Sequence, residues 1–177
     1  MSTKAERLAV VSKVIAAVNS GKDSDIDGAF AQDFKLIVPG TGGRESNDMP
    51  MPPGIDGKCA SSSFLTSGPK AVIGALHKAF SDFKFYPLKS IPEDDGGENI
   101  VASRIEFTGL LPSKLLADRI GVHTGEFLDV PPTGKSIVGR FIAFDKIEGN
   151  KLVSSEVFMD VAGLLIQFGV MPPPKGF

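Results

Sequence analysis

The chain has 177 residues, 42% hydrophobic and 23% charged, with 19 basic against 21 acidic residues and a net charge of −2. This is globular composition, and the length suits one domain, residues 1–177, that takes roughly 70% of its unfolded surface out of water. Scattered, balanced charge argues against nucleic acid as a partner, no stretch reaches the ~20 apolar residues that span a bilayer, and the lone Cys59 excludes an internal disulfide.

Thr3 and Glu6 have the spacing of a capping box, and Leu8, Val11, Ile15 and Val18 then recur at helical intervals until Asn19-Ser20-Gly21. Asp23 or Ser24 is suited to cap a second helix through Ile26, Ala29 and Phe30, and Phe34 to Val38 reads as a strand ended by Pro39-Gly40. From about 39 to 68 the composition turns to Gly, Pro, Ser, Asn and Met without periodicity, a long loop insertion of the kind that serves as lid, binding loop or partner arm, or is simply tolerated. Pro69 suits the first turn of a third helix with Val72, Ile73, Leu76 and Phe80 as its apolar stripe. The period then becomes two. Phe83 and Phe85 alternate before Pro87, and Val101, Ser103, Ile105 and Phe107 alternate with Ala102, Arg104, Glu106 and Thr108. Gly121–Leu128, Ser136–Ile147 and Lys151–Met159 are further strand candidates, the last two joined by a turn at Glu148-Gly149-Asn150. A final helix runs from about Val161 to Phe168 and stops at Gly169. Helices first, a meander of strands, then one short helix make an α+β domain whose mostly antiparallel sheet buries one face on the helices. The N-terminus shows no charged region followed by an apolar run, so the expected location is cytoplasmic.

Five segments carry a family pattern: Ala79-Phe80-Ser81-Asp82-Phe83, His123-Thr124-Gly125-Glu126-Phe127, Pro132-Thr133-Gly134-Lys135, Glu148-Gly149-Asn150-Lys151-Leu152-Val153, and Asp160 through Gly163-Leu164-Leu165 to Gly169. In this order they resemble the SnoaL-like polyketide cyclases of the NTF2-like superfamily. The resemblance implies a cone-shaped NTF2-like domain with a curved sheet around a deep apolar pocket, and a homodimer. It also implies cofactor-independent ring closure by aldol chemistry, with an aspartate at the position of Asp160 as general acid/base. The fold is shared by isomerases, epoxide hydrolases, dehydratases and non-catalytic binding proteins, so it does not choose the reaction by itself.

Asp160 stands where an apolar strand meets an apolar helix. It suits proton abstraction next to a carbonyl and equally suits an N-cap, and one residue can do both. Strand alternation places Glu156 and Phe158 on the same face as Asp160; two carboxylates in one site would divide acid and base roles, although Glu156 equally suits the rim, in water. His123 matches the family's cavity-lining histidine, suited to bond a substrate carbonyl or tune Asp160, and is the second candidate catalytic residue; a structural histidine is the other reading. Arg140 lies in a segment apolar on both faces, and a buried arginine there would bind a carboxylate or phosphate. Phe34, Phe107, Phe127, Phe141 and Phe158 are the candidate walls for a flat apolar ligand, although core packing explains phenylalanines equally well. His77, off its helix's apolar stripe, is read as a partnered or surface residue. With only two well-separated histidines no metal site is expected, and neither a P-loop nor a nucleophile elbow is present. The expectation is a cofactor-independent enzyme acting on a small apolar carbonyl compound; the alternative is a ligand- or protein-binding domain without activity.

Overall fold

The computed structural model describes residues 2–37, 68–80, 82–94, 96–110, 134–169 and 172–173. In chain order these form α1 (Lys4–Ser20), α2 (Asp23–Ala29), β1 (Phe30–Ile37), α3 (Gly68–Ala79), β2 (Lys84–Pro92), β3 (Ile100–Leu110), β4 (Ser136–Glu148), β5 (Lys151–Met159) and α4 (Val161–Phe168). The architecture is α+β, as the order of periodicities predicts. The expected long loop up to the start of α3, and the expected strand Gly121–Leu128, lie outside the described residues.

The capping box forms: the Glu6 N–H donates to Thr3 Oγ1 (3.2 Å) and the Thr3 N–H to the Glu6 carboxylate (2.7 Å). Gly21 ends α1 in the left-handed region (φ 64°), and its missing Cβ also admits the His77 ring, 2.9 Å from where that carbon would be. His77 is half-buried, its Nε2 2.7 Å from the Val18 carbonyl, so it latches α3 to the end of α1. The second helix departs from expectation. Neither Asp23 nor Ser24 is its cap; Lys22 holds that place without a side-chain cap bond, and Asp23 and Asp25 sit in the first turn, where a carboxylate suits the helix dipole. Phe30 is already extended (φ −106°, ψ 148°) and starts β1, packing edge-on to Phe34 at 5.1 Å.

The sheet order is β1-β5-β4-β3-β2; β1 and β5 run parallel, and every other pair is antiparallel. Glu148 pairs with Lys151 across a two-residue turn, and Gly149 has the positive φ (60°) that a type II′ turn asks of its first central residue. Pro87 does not stop β2. The strand is at the sheet edge, where a missing N–H is tolerated, and the register shifts between Pro87 and Lys89. Asn19 closes that edge by donating to the Phe85 carbonyl (2.9 Å) and accepting from the Phe85 N–H (2.6 Å).

Alternation along β4 separates the two faces of the sheet. Ile137, Gly139, Phe141, Ala143, Asp145 and Ile147 are buried, while Val138, Arg140, Ile142 and Phe144 are exposed. On the inner side α1 lies over β2 and reaches β3, β4 and β5. There Phe83, Phe85, Phe107 and Phe141 form a continuous aromatic layer with centroids 5.1–6.2 Å apart, and Phe80 stacks between Phe83 and Phe168. Gly139 is required by this layer, because a Cβ would lie 2.2 Å from the Phe107 ring. The outer side is unusually apolar for an exposed face, with Ile37, Ile142, Phe144 and Phe158 on adjacent strands. No helix among the described residues is long and apolar enough to cross a membrane.

Candidate functional site

β5 ends at Met159, opposite Phe141, whereas β4 extends back to Ser136. The overhang of β4 and the first turns of α4 therefore face one another across the junction that Asp160 occupies. They enclose an open cleft of about 170 Å³ lined by Val138, Gly139, Arg140, Asp160, Leu164 and Gln167.

Asp160 is exposed and caps α4: its Oδ1 accepts from the Gly163 N–H at 2.8 Å, and its carbonyl accepts from the Leu164 N–H at 3.2 Å. Gly163 lets the carboxylate fold over this first turn, since a Cβ there would stand 2.2 Å from Oδ2. Oδ2 makes no hydrogen bond among the described residues. The carboxylate is thus held by one oxygen, with the other unbonded among the described residues, an arrangement that can accept a proton without dismantling its own support.

Arg140 lies on the same cleft, with its side chain 70% exposed; the burial considered for it is not found, because residue 140 falls in the outer phase of β4. Glu106, directly opposite on β3, accepts from its Nε at 2.8 Å and leaves the two Nη groups without a partner among the described residues. Phe107 and Phe141 come together in the inner aromatic layer behind Gly139. Phe34 is half-buried beside Phe30, away from that layer. Glu156 and Phe158 lie in the outer phase of β5, which ends one residue before Asp160, and neither lines the cleft: Glu156 pairs with Phe144 and Ile37, and the 47%-exposed Phe158 meets Phe144 edge-on at 5.9 Å. His123 and Phe127 lie outside the described residues. No cluster of three or more potential metal ligands occurs among the described residues.

Two groups escaped the sequence reading. Asp145 is a carboxylate in the buried phase of β4, joined to Ser155 of β5 by a 2.6 Å hydrogen bond from the hydroxyl. Burial pushes its pKa up to about 6, and the Ser155 bond pulls the other way. The signal was present, since Asp145 interrupts the apolar phase Ile137, Phe141, Ala143, Ile147. Gln167 is the second: its Oε1 accepts from the Val138 N–H and its Nε2 donates to the Val138 carbonyl, both at 2.9 Å. Its partner lies 29 positions away, beyond the reach of local pattern.

Residues 62–168 match the family described as SnoaL-like polyketide cyclase. Among solved structures, the chain resembles AclR of Streptomyces galilaeus, a proposed hydroxylase, at 24% identity and a TM-score of 0.64, over 98% of this chain and 87% of that one. TsrD of Streptomyces laurentii is similar at 17% identity and a TM-score of 0.66, over 97% of this chain and 100% of the other. A SnoaL-like polyketide cyclase of Agrobacterium tumefaciens is similar at 15% identity and a TM-score of 0.58, over 96% and 100%. At such identities the likeness establishes the fold alone. Among curated proteins, none matches the chain.

Proposed function

The chain belongs to the SnoaL-like polyketide cyclase family, and we propose that it is a cofactor-independent enzyme that moves a proton on a small, largely apolar carbonyl compound, with Asp160 as general acid/base. The observation that carries this reading is the Asp160 carboxylate itself, on the wall of the cleft and fixed through Oδ1 by the Gly163 N–H, while Oδ2 has no hydrogen bond among the described residues. In the proposed reaction a C–H bond next to the carbonyl breaks, its proton passes to Oδ2, and the electron pair becomes an enolate. The enolate carbon then attacks a second carbonyl of the same molecule, as in a cyclase, or is reprotonated elsewhere, as in an isomerase; Asp160 returns the proton to the resulting alkoxide or carbon. The Nη groups of Arg140, unpaired among the described residues, are the proposed donors to the developing oxyanion, and His123 is the proposed second catalytic residue. Phe107 and Phe141, buried in the inner aromatic layer and not lining the cleft, are proposed to support its Gly139 wall from behind; Phe127 keeps its proposed role as a wall for an apolar ligand. Glu156, Phe158 and Phe34, which do not line the cleft, are proposed to act only on the parts of a larger ligand that extend beyond it.

A second reading, a ligand- or protein-binding domain without turnover, is favoured by the close-packed aromatic layer where an apolar cavity was expected. The exposed Ile142, Phe144 and Phe158 are the proposed surface for the homodimer under either reading. A thermal-shift screen of wild type and Asp160→Asn against polycyclic ketones, steroids, terpenoid epoxides and fatty acids separates the two. Saturation at ~100 times the dissociation constant stabilises by about 2.7 kcal/mol. A ketone that stabilises both proteins and is turned over only by wild type supports the enzyme; turnover retained in full by Asp160→Asn removes Asp160 from the chemistry.

A further inference from the structure

The overhang of β4 leaves backbone groups with no strand beside them on the β5 side among the described residues, and one side chain takes that place at Val138. The Gln167 amide presents an acceptor and a donor in one plane, and it meets both the N–H and the carbonyl of Val138 at 2.9 Å, as a neighbouring peptide group would. Glutamate lacks the donor, leucine lacks both groups, and asparagine is shorter by one methylene. Gln167 stands seven residues beyond Asp160, two helical turns or about 10 Å along α4, and therefore on the same face. Between them Leu164 is buried and lines the cleft. The Asp160–Gly163 bond fixes the carboxylate to the helix; the Gln167 clamp fixes the helix to β4.

We infer that Gln167 is a positioning residue: its two-point bond to Val138 sets where the free oxygen of Asp160 stands relative to the Gly139–Arg140 wall of the cleft. This rests on the reading of Asp160 as the proton-transfer group. Reaction geometry is sensitive at this scale, because a displacement of about 1 Å of a reacting group costs on the order of 10²-fold in rate. Gln167 touches no reacting atom, and its loss should show in turnover before affinity.

The test uses the full chain with 1-tetralone, an apolar bicyclic ketone, in deuterium oxide. The C–H bond next to its carbonyl breaks with transfer of the proton to Asp160, the acid exchanges with solvent, and a deuteron returns to the same carbon; proton NMR follows the loss of signal. Gln167→Leu should lower kcat about tenfold or more per folded molecule, with KM changed less than about twofold. In the same variant, nuclear Overhauser effects across the cleft between Leu164 and Gly139 should weaken, and the Val138 amide should exchange faster. Gln167→Glu should behave like Gln167→Leu at neutral pH. It should recover the Leu164–Gly139 effects on acidification, when the introduced carboxyl is protonated and again offers both a donor and an acceptor. Undiminished cross-cleft effects in Gln167→Leu overturn the inference, as does an unchanged kcat in a variant whose cross-cleft effects have vanished. If wild type does not accelerate exchange, or if Asp160→Asn exchanges as fast as wild type, the proton-transfer reading is what fails, and the cross-cleft effects alone decide whether Gln167 places Asp160.

Discussion

Asp145 and Asp160 lie fifteen residues apart in sequence and in opposite surroundings. Asp145 is in the inner phase of β4, 5% exposed, with the Ser155 hydroxyl as its one hydrogen-bond partner among the described residues. Asp160 is in the open on the wall of a cleft, with a backbone N–H on one of its oxygens. The aspartate that stands out in the sequence, at the meeting of two apolar elements, is the one whose ionised form is cheaply accommodated. The aspartate that burdens the fold is hidden in a strand. Exposure, more than the hydrophobicity of sequence neighbours, decides what a carboxylate costs.

The same contrast between the faces predicts the largest mutational effect. Phe141 is 6% exposed and packs against Phe85 and Phe107, so Phe141→Ala should destabilise by about 3–5 kcal/mol in urea unfolding. Phe158, half exposed against Phe144, should lose about 1 kcal/mol or less on the same change in the monomer. Equal losses would mean that the outer face is covered in solution. A Phe158→Ala loss that shrinks on dilution would identify the cover as a second copy of the chain.

Next in size is the pH dependence carried by Asp145. Its folded carboxyl keeps a proton up to about pH 6, whereas the unfolded chain releases it near 3.8. Between those values the folded state binds more protons, so this group's contribution is fully present below about pH 4 and is lost as pH rises through about 6. The gap between the folded and unfolded values is worth about 3 kcal/mol. Glu6, held low by its bonds to Thr3, and Asp94, held low by its bond to Lys4, work in the opposite sense at lower pH. The quantity to measure is therefore the difference between wild type and Asp145→Asn in urea midpoints from pH 4 to 7. The variant should gain relative to wild type across that window; parallel curves would show that Asp145 does not titrate there. Ser155→Ala removes the hydroxyl that favours the carboxylate and should deepen the loss and carry it to higher pH.

These effects also mark what was legible in the sequence. Period-two alternation in β3 and β4, the Thr3–Glu6 box, the Gly149 turn and the apolar stripe of α1 are local patterns, and local patterns report local structure. Asp160 was legible as a junction residue for the same reason. Which face of the sheet would be covered was not. Alternation groups Glu156, Phe158 and Asp160 together without saying on which side the helices pack, and that depends on where α1 lands. Arg140 looked buried because its neighbours in sequence are apolar, yet the outer face of β4 is apolar and exposed at once. Gln167 and Asn19 are ordinary polar residues until the sheet edges they cover exist.

The smallest effect separates the two roles of Asp160. As N-cap of α4, its Oδ1 takes the Gly163 N–H, and replacing a capping aspartate by alanine costs about 1 kcal/mol, while asparagine caps about as well as aspartate. Asp160→Ala should therefore lower stability by about that amount, and Asp160→Asn by a few tenths or less. If both variants lose turnover on a ketone substrate alike, while only the alanine variant loses stability, the catalytic deficit follows the loss of the carboxylate and not the loss of the cap. If turnover instead tracks stability, falling with alanine and surviving with asparagine, Asp160 acts by holding α4 in place, and the acid/base role belongs to another residue. The comparison works because Gly163 leaves room for either side chain to fold over the helix start, so the asparagine can reproduce the cap without forcing the first turn to move.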